Sequence, residues 1–132
     1  MSTVVNLKIN DEYDVIKVNN TVQEAARVMK INKVPDLVVI EGEGETKRVL
    51  GIISLFEIVM NVVAEGLDPS TTLVHSVMYQ VTPISINATV QETFELLKEL
   101  NIPLIPVVGN GILLGVVTIG DCWGFLLDQK VK

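Results

Sequence analysis

One stretch of the chain occurs twice, and the duplication constrains the fold more than any other feature. Leu50-Gly51-Ile52-Ile53-Ser54-Leu55-Phe56-Glu57-Ile58 returns as Leu114-Gly115-Val116-Val117-Thr118-Ile119-Gly120-Asp121-Cys122. Both copies read Leu, Gly, two β-branched residues, a hydroxyl and, three residues further on, a carboxylate. An apolar run closed by a hydroxyl, with an acid three residues on, is how a buried strand feeds directly into a capped helix. The helix N-terminus made in this way is a potential anion site.

A second doublet fixes the length of the repeat. Thr21-Val22-Gln23-Glu24 recurs as Thr89-Val90-Gln91-Glu92, 68 residues later, whereas the first doublet recurs after 64. Both are capping boxes that open a helix. The four-residue difference falls in the hairpin, where the first copy has the long run Glu41-Gly42-Glu43-Gly44-Glu45 and the second the tight turn Gly109-Asn110-Gly111.

In order, the spacing predicts a strand over 14–18, a helix from Thr21 with the apolar stripe Val22, Ala25, Ala26 and Met29, and a buried strand over 36–40. A return strand over 49–53 and a helix from Ser54 to about Ala64 follow. The second half predicts a short helix over 74–78, a strand over 83–86 and a helix from Thr89 with the stripe Val90, Phe94, Leu97 and Leu100. It closes with strands over 104–108 and 112–117 and a helix from Thr118 to about Gln129. Residues 1–13 form a lead-in expected to pack on the second half.

The fold class is therefore α/β, with two β-α-β-β-α repeats over 1–66 and 67–132. Each repeat leaves one sheet face bare, so two copies packed sheet to sheet about a pseudo-twofold axis are the simplest burial. At 132 residues the chain can bury roughly two-thirds of its unfolded surface.

The closing helix of each repeat is apolar nearly all round, through Leu55, Phe56, Ile58, Val59, Met60, Val62 and Val63, and through Ile119, Cys122, Trp123, Phe125, Leu126 and Leu127. Such a helix needs cover on two sides. These residues account for a composition that is 48% apolar, with a mean hydropathy of +0.45, although no apolar run reaches the 18 or more residues of a membrane span. No basic-then-apolar leader opens the sequence, and a cytoplasmic location is expected.

Ten Lys and Arg against sixteen Asp and Glu give a net charge of −6 with no basic cluster, which argues against nucleic acid or an anionic membrane as main partner. One cysteine, Cys122, leaves no internal disulfide, and with the single histidine, His75, it makes no zinc site of the usual kind. A Ser-His-Asp or Cys-His hydrolase would have to run through His75, and no nucleophile elbow or Walker-type loop supports an enzyme. The glutamates at 41–45 lack the pattern of a calcium loop and read as a solvated turn.

The duplicated unit, the paired capped helices, Ile105-Pro106-Val107-Val108 and the pattern Gly-x-x-[Ser/Thr]-x-x-[acid] resemble the cystathionine β-synthase (CBS) domain in its tandem arrangement. The resemblance covers nearly the whole chain. It implies a non-catalytic regulatory module that binds an adenosine-containing ligand (AMP, ADP, ATP or S-adenosylmethionine), with no cofactor. In a main cleft, Thr118 would lie near the phosphate and Asp121 would hold the ribose hydroxyls, with the adenine against Tyr13, Asp14, Val34 and Pro35. A second cleft would use Ser54 and Glu57 with Val81, Thr82, Ile102 and Leu104, and His75 falls where many members place a phosphate-contacting base. Leu7, beside Lys8, would be its first-repeat counterpart.

Glu57 departs from the family's Asp and is one methylene longer, which would push it into the ribose position. The family also implies a homodimer through the helices starting at Ser54 and Thr118. Both hydroxyl–acid pairs equally fit capping boxes with no ligand. A ligand-free dimerisation or scaffold module is the alternative function.

Overall fold

A computed structural model gives the structure for residues 2–7, 9, 13–43 and 47–131, the last two without their side chains. Lys8, and Gly44 and Glu45 of the glutamate run, lie outside the described residues. The chain divides into two compact units, 13–81, and 1–12 together with 82–132.

The first unit holds β1 (Val15–Lys17), α1 (Val22–Asn32), β2 (Asp36–Glu41), β3 (Arg48–Ser54) and α2 (Leu55–Ile58), which continues as a π-helical turn over Val59–Val63. β1 and β2 pair in parallel across the helical crossover, and β2 and β3 pair antiparallel through the hairpin, so β2 is central. Helix α1 starts where expected, since Thr21 Oγ1 accepts from the Glu24 N–H at 3.1 Å and Glu24 returns a bond to the Thr21 N–H at 3.0 Å. It stops at Lys33, which is left-handed at φ 56°. Val22, Ala25 and Met29 of the helix meet Leu37, Val39 and Ile53 of the sheet in the core, joined by Val62 from the π turn. Val38, Ile40 and Ile52, on the opposite face of the pleat, are also buried, so β2 shows no polar alternation.

The second unit repeats this plan with β4 (Ile84–Ser85), α3 (Val90–Leu100), β5 (Leu104–Gly109), β6 (Ile112–Thr118) and α4 (Ile119–Val131). Asn110 and Gly111, at φ 53° and 77°, form the two-residue turn whose twist suits a hairpin. The stripe of α3 differs from expectation in its last member. Leu100 is exposed on the final turn, and Thr93, one turn after Val90, is buried in the stripe, its hydroxyl donating to the Thr89 carbonyl at 2.8 Å.

The repeated Leu-Gly pair marks a β-bulge in both sheets. Val39 faces Gly51 while Ile40 faces Val49, leaving Leu50 as the extra residue, and Leu114 is left over in the same way between Gly115 and Leu113.

A further repeated piece lies in front of each copy. Residues 72–79 dock on the first unit, where the Val22 N–H donates to Thr72 O, the Val74 N–H donates to Asn20 O, and Ile52 and Tyr79 exchange backbone bonds of 3.0 and 2.9 Å. Residues 2–7 and Ile9 do the same in the second unit, where the Val90, Val4 and Val116 N–H groups donate to Ser2, Ala88 and Ile9. The lead-in therefore packs on the second half as expected. The short helices of these pieces are 3-10 turns at Val4–Asn6 and Val74–Ser76. Their register places Val5, not Leu7, at the position equivalent to His75, because the lead-ins repeat after 70 residues rather than 68.

Candidate functional site

Each strand-to-helix junction is built from a few local bonds. In the second unit β6 ends at Thr118, opposite Leu104, and the Ile119 N–H donates to Pro103 O at 3.0 Å, which turns the chain into α4. Thr118 Oγ1 accepts from the Asp121 N–H at 3.0 Å, and the Asp121 carboxylate accepts from the Thr118 N–H at 3.3 Å. Thr118 is half-buried, while Asp121 is exposed on the first turn of a thirteen-residue helix. A hydroxyl, a helix start and a short carboxylate are thus presented together, a donor and acceptor set suited to a phosphate and a diol.

In the first unit Ser54 ends β3 opposite Asp36, and the Leu55 N–H donates to Pro35 O at 3.0 Å. Here the box is more closed. Glu57 accepts from the Ser54 N–H at 2.9 Å and also takes the Ser54 hydroxyl, while Ser54 Oγ accepts from the Phe56 N–H at 3.2 Å. The longer arm of Glu57 reaches its own cap, the geometry that a capping box prefers.

Asp36 is the residue that sequence reasoning missed. Burial, and after it the charge of Glu57, raises the pKa of its carboxyl, and the Tyr79 phenol is raised by burial and then by Asp36 and Glu57. Two carboxylates and a phenol therefore share this end of the first sheet. A signal was present in the sequence, because Asp36 opens an apolar strand at the place where the second repeat has Leu104.

The groupings implied by the resemblance draw residues from both units. Within the first unit, Asp14 is half-buried and accepts from the Asn32 side chain at 2.9 Å, tying the start of β1 to the end of α1, and half-buried Tyr13 precedes it. Val34 and Pro35 line a groove of about 400 Å³ with Lys30, Lys33 and Leu55. Within the second unit, Ile102 follows the left-handed Asn101 as Val34 follows Lys33, and Leu104 faces Thr118. Val81 is half-buried and Thr82 exposed. His75 is exposed in its 3-10 turn, its backbone N–H donating to Val18 O.

A groove of about 640 Å³ lies elsewhere, along α3 between Ile84 and Glu99, and carries Glu92, Glu95 and Glu99. Three carboxylates make it a poor place for a phosphate. Among the described residues no group of three or more His, Cys, Asp or Glu gathers as a metal set. Burial, and then Asp121, pushes the Cys122 thiol up to about 11, so it is no nucleophile at neutral pH.

Comparison with known proteins follows the same duplicated plan. A family model described as the CBS domain matches residues 5–64 and 74–122. A 17.7 kDa protein of Acidianus ambivalens, described as uncharacterized, is 30% identical over 129 residues, 97% of this chain and 76% of its own length. The solved structure of Hypoxic Response Protein I with two coordinated zinc ions is similar at a TM-score of 0.81 and 24% identity, over 95% of this chain and 99% of that one. CBSX2 in complex with AMP is similar at a TM-score of 0.78 and 21% identity, over 98% and 99%. At such identities the two structures speak for the fold.

Proposed function

The chain belongs to the CBS domain family as a tandem pair, and from that premise we propose that it is a non-catalytic regulatory module that binds an adenine nucleotide and senses energy or metabolite state. The observation that carries this reading is the Thr118–Asp121 junction, where a hydroxyl and a short carboxylate lie together at an exposed helix start. As the resemblance implies, Thr118 contacts the phosphate and Asp121 the ribose hydroxyls, while Tyr13, Asp14, Val34 and Pro35 take the adenine. AMP in the CBSX2 complex supports the choice of ligand class. The junction of Ser54 and Glu57, with His75, Val81, Thr82, Ile102 and Leu104, is the weaker candidate for a second ligand.

The proposed location is the cytoplasm. Among the described residues no helix is long and apolar enough to cross a membrane. A second reading, a ligand-free dimerisation or scaffold module, is favoured by one specific observation. Phe56, Val63 and Trp123, at 67%, 66% and 50% exposure, leave the outer faces of α2, its π turn and α4 apolar and wet. We propose that these faces pair two copies of the chain, whether or not nucleotide is bound.

Thermal unfolding in the presence of AMP, ADP, ATP, S-adenosylmethionine or GMP tests the ligand. A ligand that binds the native state raises the midpoint by mass action. The midpoint should rise with an adenine nucleotide and rise less with GMP. No shift with any adenosine ligand at millimolar concentration decides for the scaffold.

A further inference from the structure

We infer that Asp36, acting with Glu57, excludes a phosphate from the Ser54 junction, so that the two halves of this duplicated chain are not equivalent and only the Thr118 junction takes a nucleotide phosphate. The inference rests on the nucleotide reading of the Thr118 junction.

The two junctions share strand register, turn and capping box, and differ in what stands opposite the hydroxyl. Directly opposed residues of an antiparallel pair project from the same face of the sheet. Asp36 therefore stands beside Ser54, and Leu104 beside Thr118. Glu57 comes to the same spot from the helix side, where it occupies both the N–H and the hydroxyl of Ser54.

The same proximity of the two acids bears on their protonation, since burial first and the charge of Glu57 second raise the pKa of the Asp36 carboxyl. The side-chain ion pairs seen among the described residues, Lys17–Glu43, Arg48–Glu41 and Lys98–Glu95, all lie elsewhere. A nucleotide phosphate brought to Ser54 would thus meet two carboxylates at short range in a partly buried place, where like charges repel far more than in water. The phosphate would also have to displace Glu57 from the Ser54 hydroxyl.

The test follows backbone amides by NMR while AMP is added to the isotope-labelled chain. The Thr118, Gly120 and Asp121 amides should move, and the Ser54 and Phe56 amides should not. In an Asp36→Asn, Glu57→Gln double variant the Ser54 and Phe56 amides should begin to respond, with apparent affinity there at least roughly tenfold above the unaltered chain. Gln serves at this helix position in a capping box, so the helix start is kept. Asp36→Leu, which copies Leu104, is the second variant, and retained spectral dispersion reports that each is folded. Saturable movement of the Ser54 and Phe56 amides in the unaltered chain overturns the inference, and so does their failure to respond in both folded variants. Silence at Thr118 alone would count against the nucleotide reading there, and the response at Ser54 still decides the role of Asp36.

Discussion

Asp36 is a carboxylate whose position costs stability near neutral pH. Its pKa in the folded chain is raised, first by burial and second by Glu57. The folded state therefore binds this proton more tightly than the unfolded state does. The stabilisation this gives is fully present below the unfolded pKa and is lost as pH rises through the folded one. Asp36→Asn should accordingly raise the thermal midpoint at pH 7 relative to the parent, and this gain should shrink as pH falls toward 3. Glu24, Glu43 and Asp68 shift the opposite way through hydrogen bonds to Thr21, Lys17 and Ser70 respectively, and favour folding above their unfolded pKa values. They are unchanged in the variant, so comparing the two chains at each pH isolates Asp36. An equal gain at pH 3 and pH 7 would show that the substitution acts through packing instead.

Among the elements, the glycine of the first Leu-Gly pair, Gly51, is explained by the piece of chain that crosses it. A β-carbon on Gly51 would sit 2.4 Å from the Tyr79 carbonyl oxygen, a backbone atom already bonded to the Ile52 N–H. Gly51→Ala must therefore push residues 72–79 off β3. A loss of about 1–3 kcal/mol is expected from such overpacking, read as a lower urea midpoint with little change in slope. An unchanged midpoint would mean that the Tyr79 segment contributes little to the unit.

The capped helices, the Asn110-Gly111 turn and the order of strands were legible in the sequence because each depends on residues a few positions apart, as in Thr21 with Glu24. The bulges at Leu50 and Leu114 were not, since they appear only when the register on both sides of the hairpin is known. The π turn after Ile58 has no comparable local signature among its Val, Met and Asn residues. The docking of Tyr79 on Ile52 is a non-local pairing. Asp36 was missed as a site residue for a related reason, because its weight comes from Ser54, eighteen positions away, and from Glu57 beyond it. Thr118, Asp121, Ser54 and Glu57 were each found at the junction where the hydroxyl and acid spacing put them.

For the whole molecule, the proposed pairing of two copies would cover the apolar outer faces of α2, its π turn and α4. Burying apolar surface stabilises by about 25 cal/mol per Å², and a standard interface of about 1,600 Å² can offset the entropy of association. Trp123→Glu should yield a monomer by sedimentation. Trp123 also stacks on Phe94, with ring centroids 5.7 Å apart, so part of its loss would be felt within one chain. Phe56→Glu lacks that complication and should give the same monomer. A parent chain that is monomeric at micromolar concentration would contradict the pairing. The central claim, an adenine nucleotide held at Thr118 and Asp121, is tested most directly by calorimetric titration of AMP into the parent, Asp121→Ala and Glu57→Ala chains. Saturable binding to the parent is expected, with a loss of tenfold or more in Asp121→Ala, in line with about 1.5–3 kcal/mol for hydrogen bonds to a charged group, and little change in Glu57→Ala. No binding to the parent, or a larger loss in Glu57→Ala than in Asp121→Ala, would contradict it.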